Sequence, residues 1–287
     1  MTIKEAKEFA LVQLSRAGID DAEFDSFELI QKVTGLNRTG FFLKQDEVIS
    51  EETFAELCDL VNRRIDGTPL QYLIGEWEFF GLPFRVGEGV LIPRPETEEL
   101  VELVLEYLRK DERFNGEKRA KVLDLCAGTG CIGISIASSF EHCDVLAIEK
   151  SEKAFEYAKQ NALLNGTANY AVNLGDICDL ATVADYDPVD VLVSNPPYIP
   201  FEQMDGLQKE VKNEPFMALC GGEDGLDFYR AIAELWMPLV KPHGMLIVEI
   251  GEDQGSSALG IFKEKCENAQ IIRDVFGNDR LILCNIH

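Results

Sequence analysis

Hydrophobic residues recur at helical spacing along the first 70 residues. Thr2 and Glu5 form a capping-box pattern, and the apolar positions after them return every three or four residues until Gly18. The same spacing recurs over residues 25–33 and 50–65, each time followed within two residues by a glycine. The pattern predicts a small bundle of helices over residues 1–72.

The polarity pattern changes after residue 72. The run EWEFFGLPFRV has the pattern of two short strands around Gly81, which predicts a β-hairpin linker over residues 73–94. The segment LIPRPETEEL then leads into a helix, because Pro95 suits a first helical position and the glutamates after it suit the positive end of the helix dipole. A further domain is therefore expected over residues 95–287.

Short apolar runs alternate with runs of helical spacing from about residue 120 onward. The predicted strands cover residues 122–125, 145–148, 170–172, 189–193, 245–250, 271–275 and 281–284. Helices are predicted over residues 154–164, 226–237 and 257–265. Such alternation is typical of an α/β fold with a mainly parallel sheet covered on both faces. The short turn at 277–279 predicts that one of the last two strands is antiparallel.

Composition narrows the class of protein. Of 287 residues, 46% are hydrophobic, which is enough for a packed core. The 27 basic and 51 acidic residues give a net charge of −24, which argues against nucleic acid as a direct partner. The longest uncharged run is too short to span a bilayer, the first residues lack the apolar stretch of a secretory signal, and the eight cysteines form no C-x-x-C pair. We expect a cytoplasmic protein with reduced thiols and no membrane partner.

A glycine-rich loop follows the first predicted strand of the sheet. Gly128, Gly130 and Gly133 form a G-x-G-x-x-G pattern that opens a helix. Glu149 ends the next strand, where a carboxylate can accept hydrogen bonds from both hydroxyls of a ribose. The pattern predicts either a nicotinamide dinucleotide or S-adenosylmethionine as cofactor. Asp124 favours S-adenosylmethionine, because a carboxylate near the loop can meet an α-ammonium group but would oppose a pyrophosphate.

A second motif, Asn195-Pro196-Pro197-Tyr198, follows the strand predicted over 189–193. The prolines stiffen the backbone and remove two N–H donors, so this turn offers mainly acceptors. The Asn195 side-chain oxygen and the Pro196 carbonyl could accept both hydrogens of a planar NH₂ group while Tyr198 packs against its plane. Orienting the nitrogen and stabilising its developing positive charge would activate it for methyl transfer. The motif therefore favours the methyl donor over the dinucleotide.

These motifs together resemble a known family. DLCAGTGCIG, the acid at 149 and SNPPYI are similar to class I S-adenosylmethionine-dependent methyltransferases. LIPRPETEELVE, YLIGEWEFFGLPF, NEPFMALCGGEDGLDFYR and DVFGNDRLILC resemble the peptide chain release factor glutamine N5-methyltransferases of the HemK type. The resemblance implies a Rossmann-like seven-stranded domain that follows a helical substrate-recognition domain in the sequence. It also implies methylation of the glutamine amide in the Gly-Gly-Gln motif of class I release factors.

The resemblance also implies a set of site residues. Carried onto this sequence, the donor site comprises Asp124, Cys126, Ala127, Gly128, Thr129, Gly130, Glu149, Asp176, Ile177 and Asn195. Asn195 to Tyr198 would hold the glutamine. The sequence departs from the family pattern in three places: Cys126-Ala127 replaces the commoner Gly-Thr, Glu149 replaces the commoner Asp, and Ile177 stands where some members carry an aromatic residue.

Other interpretations remain open at this stage. An adenine-N6 or other nucleic-acid methyltransferase would present the same NH₂ group to the same motif, and a non-catalytic binding module could keep the fold. No metal is expected, because His142, His243 and His287 are too few and poorly placed for a metal site. Arg94 could brace the substrate loop or pair with an acid. The segment over 214–222 could form a lid or a plain loop.

Overall fold

The computed structural model describes residues 1–114, 116–184 and 186–286, so His287 lies outside the described residues. The chain divides into two compact units. One, the helical unit, comprises Met1–Glu76 together with Gln208–Asn213. The other, the sheet unit, comprises Trp77–Leu207 and Glu214–His287. The first division falls inside the region predicted as a hairpin linker.

The helical unit contains the three predicted helices and two shorter ones. Its helices are α1 (Ile3–Arg16), α2 (Ala22–Thr34), α3 (Arg38–Lys44), α4 (Glu51–Ile65) and α5 (Leu70–Ile74). The capping box is confirmed, because the Glu5 N–H donates to the Thr2 hydroxyl at 3.2 Å and the Thr2 N–H donates to the Glu5 carboxylate at 2.8 Å. The buried faces of these helices, with Leu14, Leu29 and Leu57 fully enclosed, form one apolar core.

A short segment from far along the chain completes the helical unit. The buried Arg64 side chain donates to Asp25 at 2.6 Å and lies 2.6 Å from the Glu210 carboxylate. The Asn213 side-chain amide donates to the Gly67 carbonyl at 2.8 Å. Residues 208–213 therefore belong structurally to the helices although they follow the sixth strand of the chain.

The predicted hairpin is present, with β1 (Glu76–Phe79) and β2 (Leu82–Arg85). The seven-stranded sheet has the order β5-β4-β3-β6-β7-β9-β8. Its strands are β3 (Ala120–Leu125), β4 (Cys143–Glu149), β5 (Tyr170–Leu174), β6 (Val189–Ser194), β7 (Val240–Glu249), β8 (Gln270–Arg273) and β9 (Asp279–Asn285). Neighbouring strands from β3 to β7 pair in parallel, whereas β9 is antiparallel to both β7 and β8. This confirms the predicted mixed sheet.

Helices and apolar cores cover the sheet. The helices of this unit are α6 (Glu98–Lys110), α7 (Cys131–Ser139), α8 (Glu152–Leu164), α9 (Leu180–Val183), α10 (Phe216–Leu219), α11 (Asp227–Ala231) and α12 (Gly255–Lys263). One core includes buried side chains of α6 and α7, and the other includes Tyr229, Trp236 and Phe262. None of the described helices is long and apolar enough to cross a membrane.

The prediction of one continuous α-helix over 226–237 is wrong, because the helical backbone there is irregular. After α11 the backbone forms a π-helical turn, Ile232–Trp236, and then a 3-10 helix, Met237–Leu239. Pro238 lacks an N–H and cannot continue an α-helical ladder. The widened turn also contains the fully buried Trp236, whose indole N–H donates to the Ile177 carbonyl at 2.7 Å.

The strand register sets the position of the site. Leu125 at the end of β3 is level with Ile148 in β4 and Ser194 in β6, and Ser194 is level with Val248 in β7. The residues that follow these four therefore leave the sheet at one edge. From β3 the chain proceeds through β4 to β5 on one side of the sheet, and from β6 it proceeds to β7 on the other side. The direction of the strand order therefore reverses between β3 and β6, and open α/β sheets bind ligands at such a point.

Candidate active site

A cavity that is partly open to solvent, with about 880 Å³ of empty space including solvent, lies at the carboxyl ends of β3, β4 and β6. Many of the predicted site residues line it: Cys126, Ala127, Gly128, Thr129, Glu149, Asp176, Ile177, Asn195 and Pro197. The segment before α6 contributes Gly89 to Arg94 and Thr97, and the segment after the Asn-Pro-Pro-Tyr motif contributes Pro215, Met217 and Ala218. The structure thus brings the two sequence motifs together around one space.

The glycine-rich loop is fastened to the acid at the end of β4. The Gly128 N–H donates to one Glu149 oxygen at 2.7 Å, and the Ser151 N–H donates to the other at 2.7 Å. Burial raises the pKa of Glu149, while these backbone N–H groups favour its ionised form. Each carboxylate oxygen keeps a further lone pair, so Glu149 can still accept hydrogen bonds from a ligand in the cavity.

Asp124, which precedes the loop, and Gly130, which belongs to it, are not among the described residues that line the cavity. Asp124 is fully buried, and its Oδ2 accepts from the Gly133 N–H in the first turn of α7 at 3.0 Å. A Cβ at Gly133 would lie 2.7 Å from the Tyr170 ring, and one at Gly130 would lie 2.8 Å from the Tyr170 hydroxyl. Asp124 therefore holds the start of α7, and its predicted contact with the α-ammonium group of the donor, direct or through ordered water, stays a prediction.

Asp176 and Ile177 form another part of the wall. The Asp176 carboxylate pairs with Lys150 at 2.7 Å and accepts from the Cys178 N–H at 2.9 Å. Partial burial acts to raise the pKa of Asp176, but these two partners outweigh it and lower the pKa. The Ile177 side chain is buried, and its backbone is held by the Trp236 indole. This wall combines an ionised acid with an apolar surface.

The Asn-Pro-Pro-Tyr motif presents Asn195 and Pro197 to the cavity, while Pro196 and Tyr198 are not among the described lining residues. The Asn195 side-chain N–H donates to the Thr97 hydroxyl at 3.2 Å. Tyr198 is half-buried, packs against the apolar core and accepts from the Gln254 amide at its carbonyl, at 2.8 Å. Tyr198 thus helps to support the motif, and its predicted role as an aromatic wall against the substrate stays a prediction.

The chain after the motif returns to support it. The Ile199 N–H donates to the Leu219 carbonyl, and the Gly221 N–H donates to the Ile199 carbonyl, each at 2.9 Å. A Cβ at Gly221 would lie 2.7 Å from the Tyr198 Cα and 2.8 Å from the Pro197 carbonyl oxygen. The segment around Gly221 therefore packs directly on the motif backbone as a support.

Arg94 pairs with an acid and also braces a cavity-lining segment. Its guanidinium forms an ion pair with Glu214, whose side chain is almost completely buried. The same carboxylate accepts from the Ile92 N–H at 3.0 Å. Glu214 thereby fixes the stretch from Ile92 to Arg94. The pairing of Arg94 with an acid is present, and its role in bracing a substrate loop stays a prediction.

Three site residues were missed by the sequence analysis. Glu249 ends β7, Thr97 precedes α6, and the Thr97 hydroxyl donates to the Glu249 carboxylate at 2.6 Å. Buried Asn161 in α8 donates to the Thr129 carbonyl at 3.0 Å and holds the glycine-rich loop. The available signal was an acidic residue at the carboxyl end of an apolar strand, which Glu249 shares with Glu149.

Comparisons with known proteins agree on one family. Residues 5–75 match the PrmC N-terminal domain, and residues 117–234 match a methyltransferase domain. The chain is 36% identical to a release factor glutamine methyltransferase of Thermodesulfovibrio yellowstonii, over 89% of this chain and 90% of that protein. It is also 36% identical to the protein of that name from Bacillus anthracis, over the full length of both.

Two solved structures are similar to this chain. A crystal structure of a release factor-specific protein-(glutamine-N5) methyltransferase from Alicyclobacillus acidocaldarius has 26% identity and a TM-score of 0.44, covering 71% of this chain and 99% of that one. The hMettl16 catalytic domain, solved with an RNA hairpin, has 15% identity and a TM-score of 0.53, covering 83% of each chain. At that identity the second match concerns the fold alone.

Proposed function

The chain belongs to the release factor glutamine methyltransferases, and from that premise we propose its substrate, its donor and its mechanism. The substrate is the side-chain amide nitrogen, N5, of the glutamine in the Gly-Gly-Gln motif of a class I peptide chain release factor. The donor is S-adenosylmethionine, and the products are the methylated factor, S-adenosylhomocysteine and a proton released from the methylated nitrogen. The observation that carries this proposal is that Asn195 and Glu149 line one cavity.

The residues of the cavity fit the donor. S-adenosylmethionine, when bound, supplies a methyl group activated on a sulfonium. Glu149 is placed to accept from ribose hydroxyls, because its oxygens keep free lone pairs beside their backbone partners. Among the described residues, no heavy atom other than those of Gly128 and its two chain neighbours lies within 4 Å of the place where a Gly128 Cβ would stand, so the loop is open there. Ile177 and Phe228 offer apolar surface for an adenine ring.

The motif after β6 activates the glutamine amide. An amide nitrogen is a poor nucleophile because its lone pair is delocalised into the carbonyl. The Asn195 side-chain oxygen and the Pro196 carbonyl accept its two hydrogens, and no hydrogen bond to either oxygen occurs within the described residues. Accepting both hydrogens turns the lone pair toward the methyl group and stabilises the positive charge that develops on nitrogen. The step needs alignment and acceptors, with no strong base.

The substrate assignment is tested by methyl transfer from labelled S-adenosylmethionine to purified release factor. The same factor with its Gly-Gly-Gln glutamine changed to alanine and a duplex DNA serve as parallel substrates. We expect label on the intact factor alone. Label on DNA, or equal label on the altered factor, would contradict the assignment and favour another planar amino group as acceptor.

The role of Asn195 is tested with Asn195→Ala. We expect the rate of transfer to fall by about a hundredfold or more, because a preorganised polar contact in the transition state is lost. The affinity for S-adenosylmethionine, measured by calorimetry, should stay within about threefold of the wild type, because Glu149 and the glycine-rich loop are unchanged. A variant that transfers at the wild-type rate would rule out this mechanism.

A further inference from the structure

The Asn195 side chain is held by two buried residues that come from distant parts of the chain. Thr97 and Glu249 are each only 2% exposed. The Asn195 N–H donates to the Thr97 hydroxyl at 3.2 Å, and the Thr97 hydroxyl donates to Glu249 at 2.6 Å. Asn195 also acts to lower the pKa of Glu249, which favours the ionised carboxylate. These three side chains form a connected network beside the cavity.

The network has one consistent direction of donation. A threonine hydroxyl has a single proton, so once Thr97 donates to Glu249 it can only accept from Asn195. An ionised carboxylate can only accept hydrogen bonds, so the Glu249 carboxylate determines the direction of the Thr97–Glu249 bond and, through it, of the Asn195–Thr97 bond. The NH₂ group of Asn195 must then face Thr97 and Glu249, while its oxygen faces away from them.

We propose that Thr97 and Glu249 are positioning residues that fix the Asn195 amide with its oxygen toward the substrate. This inference rests on the proposed function, in which that oxygen accepts a hydrogen from the glutamine amide. A half-turn of the Asn195 amide would present two donors to the substrate NH₂ group. The network therefore holds the Asn195 amide in the orientation that activates the nucleophile and excludes the orientation that would repel it.

The network also makes the site sensitive to protonation of Glu249. Burial raises the pKa of Glu249 to about 7, although its bond from Thr97 acts in the opposite direction. Other titratable or charged groups face this carboxylate from the surrounding elements: Glu96, Cys131, Tyr198, Tyr229 and Arg280. Burial raises the pKa of the thiol and of both phenols, so they stay neutral near pH 7. A protonated Glu249 can donate to Thr97 and reverse the chain of bonds.

The effect on transfer is tested with Thr97→Val, and Thr97→Ser is the matched control. Valine keeps the shape of threonine without the hydroxyl, so we expect kcat to fall by about ten- to a hundredfold with little change in donor affinity. Serine keeps the hydroxyl and should restore most of the rate. Equal rates for the valine and serine variants would overturn the proposal.

The protonation of Glu249 is tested by the dependence of kcat on pH. In the wild type kcat should rise through about pH 7 as Glu249 ionises. In Glu249→Gln this acid limb should disappear, whereas a merely structural role would lower the rate without changing the profile. An acid limb that persists unchanged in Glu249→Gln would contradict the proposal.

A measurement without substrate separates this inference from the proposed function. The NMR signals of the Asn195 side-chain amide, assigned by their loss in Asn195→Asp, should shift with pH in step with Glu249 in the wild type. They should lose that dependence in Glu249→Gln. If these shifts occur but the wild type leaves release factor unlabelled, the network stands and the substrate assignment fails. If the signals ignore pH in the wild type, the network fails whatever the substrate is.

Discussion

Cys126 adopts a backbone conformation that residues with a side chain rarely take. Its φ of +61° lies in the left-handed region, in the loop that holds Gly128 and Gly130 at similar values. A Cβ in this region meets the neighbouring carbonyl and costs roughly 1–2 kcal/mol. Here the chain carries cysteine where the family commonly has glycine, so the loop holds this strain next to the donor site.

Comparison of Cys126→Gly with Cys126→Ala measures that strain. Both variants remove the thiol, and they differ only in the Cβ. At ordinary positions alanine is the more stable of the two by about 0.5–1 kcal/mol. At position 126 we expect the reverse order, with the glycine variant more stable by about 1 kcal/mol in urea unfolding. A more stable alanine variant would show that the loop relaxes around the side chain.

Individual site residues differed in how well the sequence could predict them. Asn195 and Glu149 were predictable, because each ends or follows an apolar strand inside a recognisable local motif. Thr97 was not predictable, because it is 152 positions from Glu249 in the chain and only the folded sheet unit brings the two residues together. For Asp124 the spacing predicted only a position near the loop, since spacing cannot tell which side of a loop a buried side chain occupies.

The segment around Gly221 determines where the Asn-Pro-Pro-Tyr motif lies. Gly221→Ala would drive a methyl group into the Tyr198 Cα and the Pro197 carbonyl, both of which are backbone atoms that cannot move independently. We expect at least a tenfold loss of transfer, since displacement of a positioning element by about 1 Å is enough for a larger effect.

Gly206→Ala provides the control for this change. Gly206 lies in the same connection, in a 3-10 helix, and in the part of the chain that the structure describes nothing beyond its own immediate stretch of chain lies within 4 Å of its Cβ position. This variant should transfer at close to the wild-type rate in the same assay. Similar losses in both variants would mean that the connection tolerates no change at all, and that the contact with the motif is not the cause.

Helices with a long, regular pattern were predicted well, and short or irregular helices were not. The seven strands and the three longest helices of the helical unit follow from apolar periodicity alone. Helices α3 and α5, with seven and five residues, are too short to show a period. The strand predicted over 271–275 ends at Arg273, because Val275 lies in the turn and is 91% exposed.

Burial of acids in the sheet unit affects the stability of the whole molecule. Burial raises the pKa of Asp124 from 3.8 to about 7, against the opposing bond from Gly133. Within the described residues its Oδ1 has no hydrogen-bond partner. The folded protein therefore binds this proton more tightly than the unfolded chain does. The resulting stability is fully present below about pH 3.8 and is lost as the pH rises through about 7.

Asp124→Asn should remove this pH dependence. In the wild type the free energy of unfolding should be larger at about pH 5.5 than at about pH 8, with about 2 kcal/mol of the difference due to Asp124. In the asparagine variant, which keeps an oxygen for the Gly133 N–H, the difference between the two conditions should shrink by that amount. Denaturant unfolding of both proteins at both pH values measures it, and an unchanged difference would show that Asp124 is ionised throughout.

The helical unit is built from two separate stretches of the chain, and this affects how the protein folds during synthesis. Residues 208–213 emerge from the ribosome after the whole of Trp77–Leu207, yet Glu210 and Asn213 belong beside Arg64 and Gly67. Domains of a nascent chain commonly fold in order from the N-terminus. Here the first unit cannot be completed until most of the second has been translated, because Arg64 lacks its Glu210 partner until then. The helical unit is thus the first part of the chain to be synthesised and among the last to be completed.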